Sequence, residues 1–183
     1  MFLGRIKKLL DLDFQPTVIA GASVIGAARH AFHDYEPQGT GSETQYSPFD
    51  VFCVAIGLDF FDLGFKQGEV VFLLRHVGGD LAREFAGILM SPLAGCMQQD
   101  TDNRLFITAG KVELVERTSV PLAKPLILKP QFARGLEAAN GLIEHLGYSD
   151  RKSILIEIGN TAVLVCNHLS QSPAARKGRP PKG

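Results

Sequence analysis

The chain has no tryptophan and only three cysteines, Cys53, Cys96 and Cys166. Cysteines this few, scattered and odd in number argue against a disulfide framework and for a reducing, cytoplasmic setting. Long apolar runs are also missing. None reaches the roughly 18–20 residues that a membrane span needs, so no membrane partner is expected. The opening stretch, MFLGRIKKLLDLDF, places its charges after apolar residues and leads to no long apolar region, unlike a signal peptide. Catalytic signatures are absent too: there is no G-x-S-x-G, no phosphate-binding loop and no G-x-G-x-x-G. Neither an enzyme nor a cofactor is expected.

Net charge is lacking as well, because 19 basic and 19 acidic groups cancel, but the cancellation is uneven. The last eight residues, RKGRPPKG, hold four basic side chains and no acid, which leaves residues 1–175 with 15 basic against 19 acidic groups. A body with a net charge of −4 does not favour nucleic acid, whose binding rests on phosphate neutralisation.

What is present is a globular composition. With 183 residues, 45% hydrophobic and 21% charged, the chain is long enough for one ordinary domain or two small ones and too apolar for global disorder. FLGRIKKLLDL spaces Phe2, Ile6, Leu9 and Leu10 for a short amphipathic helix. From Ser23, a potential N-cap, Val24, Ala27, Ala28 and Ala31 predict a second helix that ends near Arg29, His30 and His33. HDYEPQGTGSETQY is the most polar internal stretch, a surface loop or loose hairpin.

The next segment has the clearest punctuation. Ser47, Pro48 and Asp50 predict a helix start and Gly64 its stop, with an almost wholly apolar sequence between. KQGEVVFLLRHV predicts a further helix closed by Gly78-Gly79, and Asp80 caps another through LAREFAGILM. Residues 93–103 read as a domain boundary. Beyond them the period changes: two short strands around Gly110, a third in PLILKP, a helix through Leu136–Leu146 stopped by Gly147, and a hairpin around the GN of SILIEIGNTAVLVCNHL. The expected fold class is α+β, with a helical domain over 1–92, a small α+β unit over 104–169 and a basic tail over 170–183.

QYSPFDVFCVAIGLDFFDLGFKQGEVVFLL, with its Tyr46-Ser47 pair, its Leu63-Gly64-Phe65 turn and the following Glu69 and Leu73-Leu74, resembles the MerR family of winged helix-turn-helix transcription regulators. The likeness spans about residues 1–78 and is residue-level only in its second half. The family's first helix-turn-helix, with its arginine-tyrosine-tyrosine run, is not reproduced, since VIGAARHAFHDY offers only Arg29 and Tyr35. The resemblance implies double-stranded DNA as partner, a homodimer, and an unidentified small-molecule or protein effector for the C-terminal unit. It places Arg29, His30 and His33 at bases or phosphates, and Ser42, Thr44 and Gln45 of the wing at the sugar-phosphate backbone. On the bland reading the same residues are a solvated helix end and a surface loop.

The tail ARKGRPPKG resembles an AT-hook, in which Arg179 would enter an A·T-rich minor groove while Lys177 and Lys182 meet phosphate. A basic, proline-rich terminus is equally a solubilising device. His30, His33 and Asp34 have the spacing of a metal pair, but no further ligands stand nearby and no metal is expected. Cys53 and Cys166 sit among apolar neighbours and read as packing. The sequence therefore supports a DNA-binding regulator, or alternatively a non-enzymatic protein-interaction adaptor whose tail keeps it soluble.

Overall fold

In chain order the elements are α1 (Phe2–Asp13), β1 (Val18–Ile19), β2 (Ala22–Ser23), α2 (Pro48–Asp62), α3 (Gln67–Leu89), β3 (Leu105–Gly110), β4 (Gln131–Arg134), α4 (Leu136–Gly147), β5 (Ser153–Glu157) and α5 (Gly159–Gln171). The computed structural model describes residues 2–14, 18–19, 22–23, 30–33, 46–90, 104–110, 130–147 and 153–171.

The corner between α2 and α3 forms as its residues dictate. Ser47 Oγ accepts a hydrogen bond from the Asp50 N–H at 3.2 Å, and Asp50 Oδ2 accepts one from the Ser47 N–H at 2.7 Å, closing a reciprocal cap with Pro48 in the first turn. At the other end Gly64 takes φ 88°. The Phe65 N–H then reaches the Phe60 carbonyl and the Gly64 N–H reaches the Phe61 carbonyl, both at 3.1 Å. This is a Schellman ending, completed by the Phe60 and Phe65 rings meeting edge-on at 5.1 Å. Glu69 Oε2 accepts the Lys66 N–H at 2.7 Å and so begins α3.

Helix α3 departs from the expectation of two helices, because it runs unbroken through Gly78-Gly79. Each glycine costs a helix about 1 kcal/mol. Val77 and Leu81, both buried on either side, offset that cost, since burying one such side chain contributes about 1.5–3 kcal/mol. Asp80 is therefore an interior helical residue bonded to Arg83, not a cap.

The expected helix beginning at Ser23 differs at both described ends, while residues 24–29 lie outside the described residues. Ala22 and Ser23 pair as a strand with Ile19 and Val18. Residues 30–33 are not helical. The Ala31 and Phe32 N–H groups point at the Asp13 carboxylate rather than along a helix.

The second half forms a three-stranded antiparallel sheet in the order β4-β3-β5. Ile107 lies opposite both Phe132 and Ile156, and Phe106 opposite Ala133 and Glu157. Alternation divides the sheet into two faces. Leu105, Ile107 and Ala109, with Phe132, Ile154 and Ile156, face the helices. Phe106, Ala133 and Leu155 face α4 through Ala139 and Leu142. Helix α5 packs on α2, α3 and β3, so the sheet lies between one helix and a helical layer.

The helix expected through Leu136–Leu146 spans Leu136–Gly147, after a strand over Gln131–Arg134 and Gly135 at φ 85°. One further expectation fails here. The GN pair opens a helix instead of turning a hairpin, because the Ile158 N–H bonds the Leu105 carbonyl at 2.8 Å and Glu157 Oε1 accepts the Asn160 N–H at 3.0 Å. The mixed α+β class holds.

The helical and sheet-bearing segments share one buried cluster, beside the smaller one under α4. Leu9, Phe52, Phe60, Leu74 and Leu81 belong to the same buried cluster as Leu105, Ile107, Ala162 and Val163. The expected boundary at 93–103, PLILKP before Pro130, the strand after Gly110, the wing and the tail lie outside the described residues.

Candidate functional site

The densest polar cluster in the described residues surrounds Asp13, the last residue of α1, which is fully buried. Its Oδ1 accepts the Ala31 N–H at 2.8 Å and Arg75 Nε at 2.9 Å, and its Oδ2 accepts the Phe32 N–H at 2.9 Å. The Asp13 carbonyl accepts His30 Nδ1 at 2.8 Å and also Arg75 Nη2. One residue thus ties α1, the 30–33 segment and α3 together. Charge-assisted bonds of this kind are about twice as strong as neutral ones.

His33 continues the cluster toward α2. Its ring stacks on Phe14 at 5.0 Å and meets Tyr46 at 5.1 Å, while Phe14 also touches the His30 ring at 5.4 Å. His33 is only 5% exposed, and its Nε2 has no hydrogen-bond partner among the described residues. Burial pushes the His33 pKa below the ordinary 6.5, with the His30 charge adding slightly and the Asp13 and Asp50 carboxylates opposing. Burial, then Asp50, pushes the Tyr46 phenol upward.

The candidate nucleic-acid residues fare unequally. His30 is half-buried and bonded, and His33 is enclosed, so neither stands as an exposed pair on one helix face. Arg29, Ser42, Thr44, Gln45, Lys177, Arg179 and Lys182 lie outside the described residues. Of the basic groups described in the body, Arg5 pairs with Asp62 and lies over the Phe61 ring. Arg83 pairs with Asp80 at 3.0 Å and Arg134 with Glu84 at 2.9 Å. Lys7 and Lys8 are exposed on α1.

The remaining reactive types are quiet. No group of three or more metal-ligating side chains occurs among the described residues. Cys53 is buried in α2, and burial pushes the Cys166 thiol upward, away from the reactive thiolate. Burial and the neighbouring Asp62 raise Asp59. No described helix is long and apolar enough to cross a membrane.

Sequence reasoning missed Asp13 and Arg75, which are 62 residues apart. It also missed Phe14 and Tyr46 as the walls of the His33 stack. No local motif signals a contact made across that separation. The two faint signals were an aspartate closing an amphipathic helix and an arginine within the apolar run VVFLLRHV.

No family model matches the chain, and no curated protein or solved structure shows significant similarity to it. The likeness to MerR-type regulators therefore rests on the residues that suggested it.

Proposed function

We propose that the chain is a non-enzymatic protein-interaction module with a solubilising basic tail. The observation that carries this reading is the use made of the charged groups in the body. Asp13, Asp50 and Glu69 are buried, and each holds backbone N–H groups of its own chain. Arg5, Arg75, Arg83 and Arg134 each meet a carboxylate of the same chain. A phosphate backbone would have to displace those carboxylates before these four arginines could take part in binding, which leaves Lys7 and Lys8 as the exposed cations named above.

The surface best suited to a partner is the outer side of α4. Among the described residues this helix lies by itself on its face of the sheet, and Leu136 and Ile143 stand two turns apart, 43% and 48% exposed, with the acidic Glu137 and Glu144 alongside. A protein segment with an apolar centre and a basic edge fits that surface.

The competing reading is a MerR-like DNA-binding regulator with a sensing or dimerising C-terminal unit. It is supported by the apolar corner with its Leu63-Gly64-Phe65 turn and by the tail sequence. Its contacts would come from Arg29, Ser42, Thr44, Gln45 and the tail. A photo-crosslinking residue placed at Ile143, with Lys8 as the control position, separates the two in cells. Protein adducts at position 143 and not at position 8 are expected. Nucleic-acid adducts, or none at position 143, would overturn the interaction reading.

A further inference from the structure

We propose that His33 is an acid-opened latch that holds residues 30–33 against the junction of α1, α2 and α3. Besides the His30–Asp13 carbonyl bond, the segment has three fastenings. Asp13 grips the Ala31 and Phe32 N–H groups, the fully buried Phe32 ring enters the core beside Gly57, and the His33 ring is clasped by Phe14 and Tyr46. Only the third contains a group that changes charge near neutral pH while lacking a partner at Nε2 among the described residues.

The groups facing His33 explain why a proton there destabilises the closed arrangement. From α1, the Asp13 oxygens are taken by Ala31, Phe32 and Arg75. From α2, Asp50 Oδ2 is committed to the Ser47 N–H and hydroxyl, both at 2.7 Å. His30, in the same segment, is bonded to the Asp13 carbonyl, and the Arg75 charge from α3 is turned onto Asp13. Tyr46 contributes a ring against the imidazole. A charged Nε2–H would therefore have to compete with a cap or a tie for a carboxylate, or move the ring outward to water. Outward movement parts Phe14 from Tyr46 and exposes apolar surface at the start of α2.

The sign follows from the direction of the shift. The folded state holds His33 below the ordinary 6.5, so the closed latch is at full strength above that value and weakens as pH falls toward the depressed pKa.

The test is amide hydrogen exchange on the full chain, read peptide by peptide from about pH 7.5 to about pH 5 after correction for intrinsic exchange, in wild type, His33→Phe and His30→Gln. Wild type and His30→Gln are expected to lose protection over residues 30–33 by about tenfold or more, while α2 and α3 stay protected. His33→Phe, which keeps an aromatic ring in the stack without a titrating nitrogen, is expected to lose none. Equal loss in His33→Phe, or simultaneous loss in α2 and α3, overturns the latch. Should His33→Phe fail to fold, a histidine-ring NMR titration of wild type decides the matter. A His33 midpoint at or above 6.5 refutes the latch, and a lower midpoint coinciding with the loss of protection supports it.

Discussion

Replacing Asp13 by alanine removes a buried tie between α1, residues 30–33 and α3. The side chain is fully buried and receives two backbone N–H groups and a guanidinium. Leaving a buried N–H without an acceptor costs about 1–3 kcal/mol, and breaking a buried ion pair from one side costs about 3–5 kcal/mol. These losses share atoms and are not additive. The Arg75 side chain is 12% exposed and can turn part of its charge to water, which limits the second loss. The expected net loss for Asp13→Ala is about 3–5 kcal/mol, a large fraction of the roughly 5–15 kcal/mol available to a domain. Urea unfolding followed by circular dichroism measures it as a lower midpoint at an unchanged slope. In the double variant with Arg75→Met, the added methionine should cost less than it does alone, because the carboxylate has already gone, while the bond from Arg75 to the residue 13 carbonyl is lost in either background. A loss below about 1 kcal/mol for Asp13→Ala, or strict additivity with Arg75→Met, would refute the reasoning.

Glycine substitutions give three further outcomes by the same unfolding assay. Gly64→Ala forces a side chain into φ 88° and should destabilise by about 1 kcal/mol or more. Gly79→Ala, whose new methyl meets nothing within 4 Å, should stabilise by about 0.5–1 kcal/mol through helix propensity. Gly57→Ala should forfeit that gain, because its methyl would lie 3.3 Å from both Phe32 and Val70 and 3.4 Å from Leu74. A Gly57→Ala variant as stabilised as Gly79→Ala would mean that the α2–α3 contact is looser than described.

Sequence signals were legible where they are local. Ser47, Pro48, Asp50 and Gly64 bracket α2 because caps and a positive φ are decided within a few residues. Leu105–Gly110 reads as a strand because LFITAG is a short apolar run with β-branched residues, as a strand on a sheet with two packed faces requires. Misreadings arose where tertiary packing outweighed local preference. Gly78-Gly79 reads as a stop, yet the flanking Val77 and Leu81 carry the helix across it. TAVLVCNHL reads as a strand because a short apolar run has no decisive period. The Glu157 carboxylate at the Asn160 N–H and the burial of Ala162 and Val163 on α2 and α3 make it helical. His33 looked like an exposed partner for nucleic acid because Phe14 and Tyr46, which enclose it, are distant in sequence.

Duplex binding tests the functional account most directly. Fluorescence anisotropy with random and A·T-rich duplexes, at about 50 mM and about 200 mM salt, compares the full chain with one lacking residues 176–183. The interaction-module account predicts weak, sequence-independent binding that disappears with the tail. Tight, sequence-selective binding that survives the deletion would contradict it.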